Sequence, residues 1–353
     1  MTSRERWLAV LRREALDGAL MDYWATPETT AQLMKHLGVT EWSDMHRRLH
    51  TDPLVPVGPR YVGPSVPAGA DVFGCRYQQT DYGGGTYNEC IQPALAGYDS
   101  IAEVEAEYTW PSLDWWDYSD LPSQLEGKEE FPIAAGHAEP FARYKNLRGQ
   151  AKAYEDLIDR PEFVHYCLEK LFVLDYEDAL RIFETIPGQV VISYVNEDLG
   201  GQNSLLMSPA HIREFLIPHM KRLTDLIHQA GAFVFHHNDG AIRKILPDLV
   251  ALGIDILNPV QWRCTGMERE ALKRDFGANV IFHGAMDNQR TLARGTLEDV
   301  RQEVIDNLRI LGSGGGYILA PCHNIQTVTP PANIVAMYDT AYECGTGQVT
   351  EST

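Results

Sequence analysis

The chain has 353 residues, enough for one large or two ordinary domains with an ample core, and its 44% hydrophobic and 22% charged residues are the balance of a water-soluble globular protein. A formal net charge of −19 argues against nucleic acid and anionic membrane surfaces as main partners. No apolar run approaches the roughly 20 residues of a membrane span, and no apolar signal core follows the opening Met1 to Trp7, so a cytoplasmic location is expected.

Residues 3–15 read as a charged amphipathic helix, 19–24 as a short apolar strand, and a second helix runs from near Pro27 to Gly38. From about 50 to 125 the texture changes. Pro, Gly and aromatic residues accumulate around Tyr82, Tyr87, Trp115 and Trp116, which predicts hairpins and an N-terminal insertion or lid. After residue 130 the pattern becomes regular. Apolar strands are predicted at 131–136, 189–195, 232–236, 254–258, 279–283 and 316–320. Helices are predicted at 147–157, 161–185, 241–252, 267–276 and 296–312, with others opening at Ser208-Pro209 and near Pro331. This alternation predicts an α/β fold on a parallel sheet. Seven strands are visible where a closed (β/α)8 TIM barrel needs eight. The barrel is the preferred architecture and an open doubly wound sheet the second. The first strand is not followed by Gly-x-Gly-x-x-Gly, which counts against a dinucleotide-binding sheet.

In a barrel the carboxyl ends of the strands converge, and active sites sit there. Those ends carry Glu197 and Asp198, His237 and Asp239, Asn258 and Gln261, His283 and Asp287, then Cys322 and His323. Folding needs only apolar side chains inside such strands, so polar groups at five successive ends read as a site. Each residue also has a plainer reading. His236 and His237 cannot face the same way in a strand. Asp239-Gly240 is a turn and cap signal, Asp287 could cap the next segment, and Cys322 could be a buried thiol. The set His237, Asp239 and His323, with Cys322, offers nitrogen, oxygen and sulfur ligands that suit Zn2+ and, without the thiol, also Fe2+ or Mn2+. The same groups could work without metal as acid, base and hydrogen-bond donors. The six cysteines are scattered with no Cys-x-x-Cys.

Several motifs together resemble the superfamily that joins uroporphyrinogen decarboxylase with the cobalamin-linked methyltransferases. They are Leu147-Arg148-Gly149, Glu197-Asp198-Leu199-Gly200-Gly201-Gln202, His237-Asn238-Asp239-Gly240, the stretch 253–261, Phe282-His283-Gly284-Ala285-Met286-Asp287 and the stretch from Gly315 to Ile334. The resemblance implies a (β/α)8 barrel with its pocket at the carboxyl rim, and a homodimer. The decarboxylase branch carries an Arg-rich segment of the type Met-Arg-Gln-Ala-Gly-Arg, where this chain has Met21-Asp22-Tyr23-Trp24-Ala25-Thr26-Pro27. Arg76, Arg143 and Arg148 remain as possible carboxylate partners, but the bidentate grip is missing. The methyltransferase branch binds zinc through His-x-Cys and a later Cys, positions that fall on His237, Asp239 and His323 here. The resemblance therefore implies a harder, less thiolate-rich site.

The resulting expectation is an enzyme of the methyltransferase type, moving a methyl group between a small substrate and a corrinoid carried by a partner protein. His237, Asp239 and His323, with Cys322, would hold zinc. Glu197, Asp198, His283 and Asp287 would serve catalysis. Asn258, Gln261, Tyr82, Tyr87, Trp115 and Trp116 would bind substrate. A metal-free decarboxylase or lyase is the alternative, and a non-catalytic ligand-binding relative the third reading.

Overall fold

Eight short strands run parallel around one curled sheet, in chain order apart from the seam where the first and second meet. They are β1 (Leu20–Met21), β2 (Val55–Pro56), β3 (Ile133–Ala138), β4 (Val190–Val195), β5 (Phe233–His237), β6 (Ile256–Asn258), β7 (Ile281–Met286) and β8 (Tyr317–Pro321). This computed structural model describes residues 1–81 and 86–345; Tyr82 lies outside the described residues. The sheet order β1-β8-β7-β6-β5-β4-β3-β2, with helices between successive strands, is that of a (β/α)8 barrel rather than an open doubly wound sheet. At the seam the Asp52 N–H donates to Met21 O at 2.8 Å and joins β1 to the segment entering β2.

The strand missing from the sequence reading is β2. It is two residues long and sits in Asp52-Pro53-Leu54-Val55-Pro56, too short to show a period of two and flanked by prolines. Pro56 has no N–H to give, and the strand does not need one there. Val55 donates to Pro132 O, just before β3, and Val57 to Ala134 O of β3, both at 3.0 Å, and the other edge is the ladder-free seam. The stretch from 50 to 125 therefore opens with a barrel strand. Beyond it, Arg76–Asp81 pairs antiparallel with Thr86–Gln92, the hairpin geometry that its composition predicts, while Arg60–Tyr61 pairs antiparallel with Trp116–Asp117 from far along the chain.

Strand alternation divides the core in two. Phe235, Ile256, Ile281, Ile318, Leu20, Ala134 and Ile192 point into the barrel and pack as one cluster. Their neighbours Val234, Leu257, Phe282 and Leu319 face outward against the helices in a second, larger cluster. The barrel floor is closed by helix Ser3–Leu11, which inserts Trp7, wholly buried, into the inner cluster. Its indole N–H donates to Asp52 O at 2.8 Å, beside the seam. The helix ends at Leu11, four residues short of the prediction, because Arg13 takes a left-handed conformation with φ 58° and turns the chain.

Trp7 thus fills the barrel and ties its seam. Replacing it by Ala is expected to cost about 3–5 kcal/mol of unfolding free energy, the range for a buried aromatic side chain, read from urea denaturation. A change within 1 kcal/mol, on the order of a surface substitution, would show that the plug is dispensable.

Candidate functional site

A cavity of about 460 Å3 opens at the carboxyl ends of the strands. Its polar wall grows directly from the inner apolar layer. Two residues beyond Leu20 stands Asp22, beyond Phe235 His237, beyond Ile256 Asn258 and beyond Ile281 His283. The period of two places all four side chains inside the barrel, one step above the apolar floor. Asp22, His237 and His283 line the cavity, and Asn258 is buried between the two histidines.

These four are linked. His283 Nε2 lies 3.0 Å from Asp22 Oδ2, and His283 Nδ1 lies 2.7 Å from Asn258 Nδ2. Asn258 Oδ1 lies 2.6 Å from His237 Nδ1. The backbone N–H of His237 donates to Asn196 Oδ1 at 2.9 Å. His237 Nε2 is left facing two carboxylates, Asp198 Oδ1 at 3.5 Å and Asp239 Oδ1 at 4.0 Å. His323 Nε2 approaches Asp239 Oδ2 at 3.9 Å. Trp24 walls this group, stacked on His323 at 5.7 Å between ring centres and edge-on to His237 at 5.5 Å.

Two loops bring the carboxylates together. Gly200 and Gly240 are in contact: a Cβ on Gly240, whose φ is +85°, would stand 2.5 Å from the Gly200 carbonyl carbon. Only glycine permits this approach, and it seats the loop carrying Asp198 against the one carrying Asp239. Gln261 then fixes Asp239, donating from Nε2 to Asp239 Oδ1 at 2.9 Å while its Oε1 accepts the Gly240 N–H at 2.8 Å. Burial pushes the Asp239 carboxyl up, and the imidazoles of His237 and His323 oppose that.

The ligand atoms of Asp198, His237 and Asp239 all lie within 4.8 Å of one another. The 3.5 and 4.0 Å separations from His237 Nε2 fall within the span of two bonds of about 2 Å to one cation. Among the described residues, no Lys or Arg forms an ion pair with either carboxylate. Two facing carboxylates without a countercharge, beside an imidazole nitrogen with no hydrogen-bond donor, fit a divalent cation.

The other residues singled out from sequence fall elsewhere. Cys322 is buried, its thiol donates to Val260 O at 3.2 Å, and burial holds its pKa well above the ordinary value; it is not among the converging ligand atoms. Glu197 is wholly buried behind the barrel wall, where Oε1 accepts the Phe141 N–H at 2.7 Å and burial raises its pKa well above the usual range. Asp287 caps the turn that follows it, accepting the Gln289 N–H at 2.8 Å, and pairs with Arg263. His236 faces outward, bonded to Val195 O and Asn238, and burial lowers it to about 4. Tyr87, Trp115 and Trp116 do not line the cavity. Its aromatic surface comes instead from Tyr23, Trp24, Trp42, Tyr194 and Phe235.

Sequence reasoning missed Asp22, Trp24, His46, His137, Glu139 and Asn196, all of which line the cavity. Asp22, His137 and Glu139 stand at or just past the ends of β1 and β3, so the strand-end rule would have found them had it been applied to the first and third strands. Of the three arginines considered as carboxylate partners, Arg148 is buried against Asp156, Leu95 O and Tyr98 O. Arg143 pairs with Asp175 in a neighbouring chamber, and Arg76 is exposed on the hairpin. Among the described residues, no Lys or Arg lines the main cavity.

A parallel barrel with a histidine- and carboxylate-walled cavity at its carboxyl rim is the architecture of a barrel enzyme. A family model described as uroporphyrinogen decarboxylase (URO-D) matches residues 123–344, and the chain belongs to that family. Uroporphyrinogen decarboxylases of Psychromonas ingrahamii and Pseudoalteromonas translucida are 25% identical over 234 residues and 26% identical over 239. These matches cover 62% and 64% of this chain but only 60% and 62% of the relatives, so the chain spans less than two thirds of their length. A methyltransferase from Methanosarcina mazei shares the fold, with a TM-score of 0.66 over 98% of this chain and 99% of that one at 18% identity. No helix among the described residues is long and apolar enough to cross a membrane.

His46 gives the cavity wall a pH signature. Burial lowers its pKa from 6.5 to about 4, with Asp22 opposing. The unfolded chain therefore takes up a proton that the folded protein refuses, and stability falls as pH drops from about 6.5 to about 4. The H46Q variant should show a shallower loss of stability over this window when urea midpoints are compared across pH. Parallel curves for the two proteins would contradict the assignment.

Proposed function

We propose that the protein is a metal-assisted methyltransferase that moves a methyl group between the oxygen or sulfur of a small substrate without anionic groups and a corrinoid carried by a partner protein. The observation that carries this reading is the convergence of His237 Nε2, Asp198 and Asp239, with His323 beside them, at the mouth of a cavity that, among the described residues, no Lys or Arg lines. The full-length likeness to the M. mazei methyltransferase is in keeping with it.

His237, Asp198 and Asp239 would hold a divalent cation, with His323 the next candidate. Bound there, the cation would act as a Lewis acid that lowers the pKa of a substrate hydroxyl or thiol. An imidazole and two carboxylates form a harder set than thiolates and favour an oxygen-bearing substrate. Gln261 keeps Asp239 aimed at the shared point, and Trp24 offers a flat apolar face beside it. The remaining rings, Tyr23, Trp42, Tyr194 and Phe235, suit a planar or methylated body.

The decarboxylase reading asks for cations that grip several carboxylates. The lining residues instead include Asp22 and Glu139, and Glu139 is already pushed up by burial and by Asp198. A polyanionic porphyrinogen would enter that cavity without a partner for its charges.

Protein prepared without chelator and saturated with zinc should retain one equivalent after dialysis, and H237A should retain almost none. Retention unchanged in H237A would remove the metal reading. Ligand charge gives a separate check. Phenol should quench the tryptophan fluorescence of the cavity at concentrations at least ten-fold below those needed with benzoate, on the order of the 1.4 kcal/mol that an unpaired buried charge readily costs. Equal or tighter binding of benzoate would contradict the proposed substrate class.

A further inference from the structure

We infer that Asp22, which touches none of the candidate ligands, selects the nitrogen of His237 that faces the two carboxylates, acting through His283 and Asn258. This rests on the reading of His237 as a ligand.

The chain of reasoning starts at the carboxylate, because a carboxylate can only accept. Asp22 is held in place. Its N–H donates to Leu319 O at 3.0 Å, its carbonyl accepts the Tyr338 hydroxyl at 2.8 Å, and its Oδ1 accepts the Tyr23 N–H at 2.8 Å. Its Oδ2 remains for His283 Nε2 at 3.0 Å, so that nitrogen carries the proton. In a neutral imidazole the other nitrogen then presents a lone pair, and His283 Nδ1 needs a donor. The atom 2.7 Å away must be the Nδ2 amide of Asn258. That orients the amide and turns Oδ1 toward His237, 2.6 Å from Nδ1. An amide oxygen only accepts, so His237 carries its proton on Nδ1 and offers the Nε2 lone pair to the cluster.

One polarity thus runs through four side chains, one just past the end of β1 and the others on β7, β6 and β5. His283 and Asn258 are both fully buried, so water cannot exchange with either and blur the direction. If Asp22 could donate as well as accept, the whole series could reverse. His283 would then protonate Nδ1, the Asn258 amide would turn over, and His237 would carry its proton on Nε2, where it cannot ligate. Asp22 is therefore a positioning residue.

Substitutions at Asp22 and Asn258 separate this from a merely structural role. D22N places an amide opposite His283 and removes the fixed direction. N258D restores an obligate acceptor beside His237 Nδ1 whatever His283 does. The first readout uses metal-free protein labelled with 15N-histidine, with the His237 signals assigned by their loss in H237Q. Wild type should show His237 protonated on Nδ1. D22N should show a mixture of tautomers, and the D22N/N258D double variant should return to the Nδ1 form. The second readout is affinity for Zn2+ alone by competition with a chromophoric chelator. It should fall about 10- to 100-fold in D22N, as for other partners of ligating histidines, and recover in the double variant. A structural loss at position 22 would not be recovered by placing the carboxylate at position 258 instead. An unchanged His237 tautomer in D22N would overturn the inference. Tautomers that follow the predicted series in a wild-type protein that binds no zinc would uphold the relay and defeat the metal reading instead.

Discussion

The two-residue period of the barrel strands is the constraint on which the rest depends. Four of the strands that contribute an apolar side chain to the inner cluster contribute a polar one two positions later, at or beside the cavity wall. Leu20 is followed by Asp22, Phe235 by His237, Ile256 by Asn258 and Ile281 by His283. The floor, plugged by Trp7 beneath His283 at a ring separation of 6.4 Å, excludes water from below. Burial then forces every polar group in the layer above to find a partner. The directed network is the consequence of packing polar side chains on a dry floor.

The layer would be inert without the loops above it. Contact between Gly200 and Gly240 is a backbone matter, decided by the absence of two β-carbons, and it supplies the acidic half of the site. The result concentrates negative charge around His237 in a protein that already carries a net charge of −19. Such charge stays unbalanced by Lys or Arg among the described residues of the cavity wall. In the proposed reading a cation complements that charge and anionic substrates are excluded.

Much of this was legible in the sequence. Six of the seven strands read from apolar runs coincide with the barrel strands to within about two or three residues, because buried parallel strands are continuous apolar runs. The seventh, β1, shrinks to Leu20–Met21 because the residues after it turn inward as cavity wall. The strand β2 was invisible, since two residues between prolines carry no periodicity. Within the site, residue types at strand ends located His237, Asp239, His323, Asn258 and His283. Which of them point inward, and which are caps or buried thiols, depends on register and loop packing. Asp287 and Cys322 share the sequence neighbourhood of true cavity residues but not their direction. Asp22 lies within the run 19–24 that reads as strand, so it becomes a strand-end residue only because β1 stops at Met21. Composition points to the aromatic stretch as cavity wall, whereas the rings that line the cavity come from four separate segments.

The central claim is that the chain assembles an oxygen- and nitrogen-only cation site from His237 and two aspartates, with no thiolate. X-ray absorption at the zinc edge tests it most directly on protein loaded with one equivalent of Zn2+. The account predicts a first shell of nitrogen and oxygen at about 2.0–2.2 Å and no sulfur, with imidazole scattering that is lost in H237A. A sulfur ligand at about 2.3 Å, or an absorption spectrum indifferent to that substitution, would contradict it.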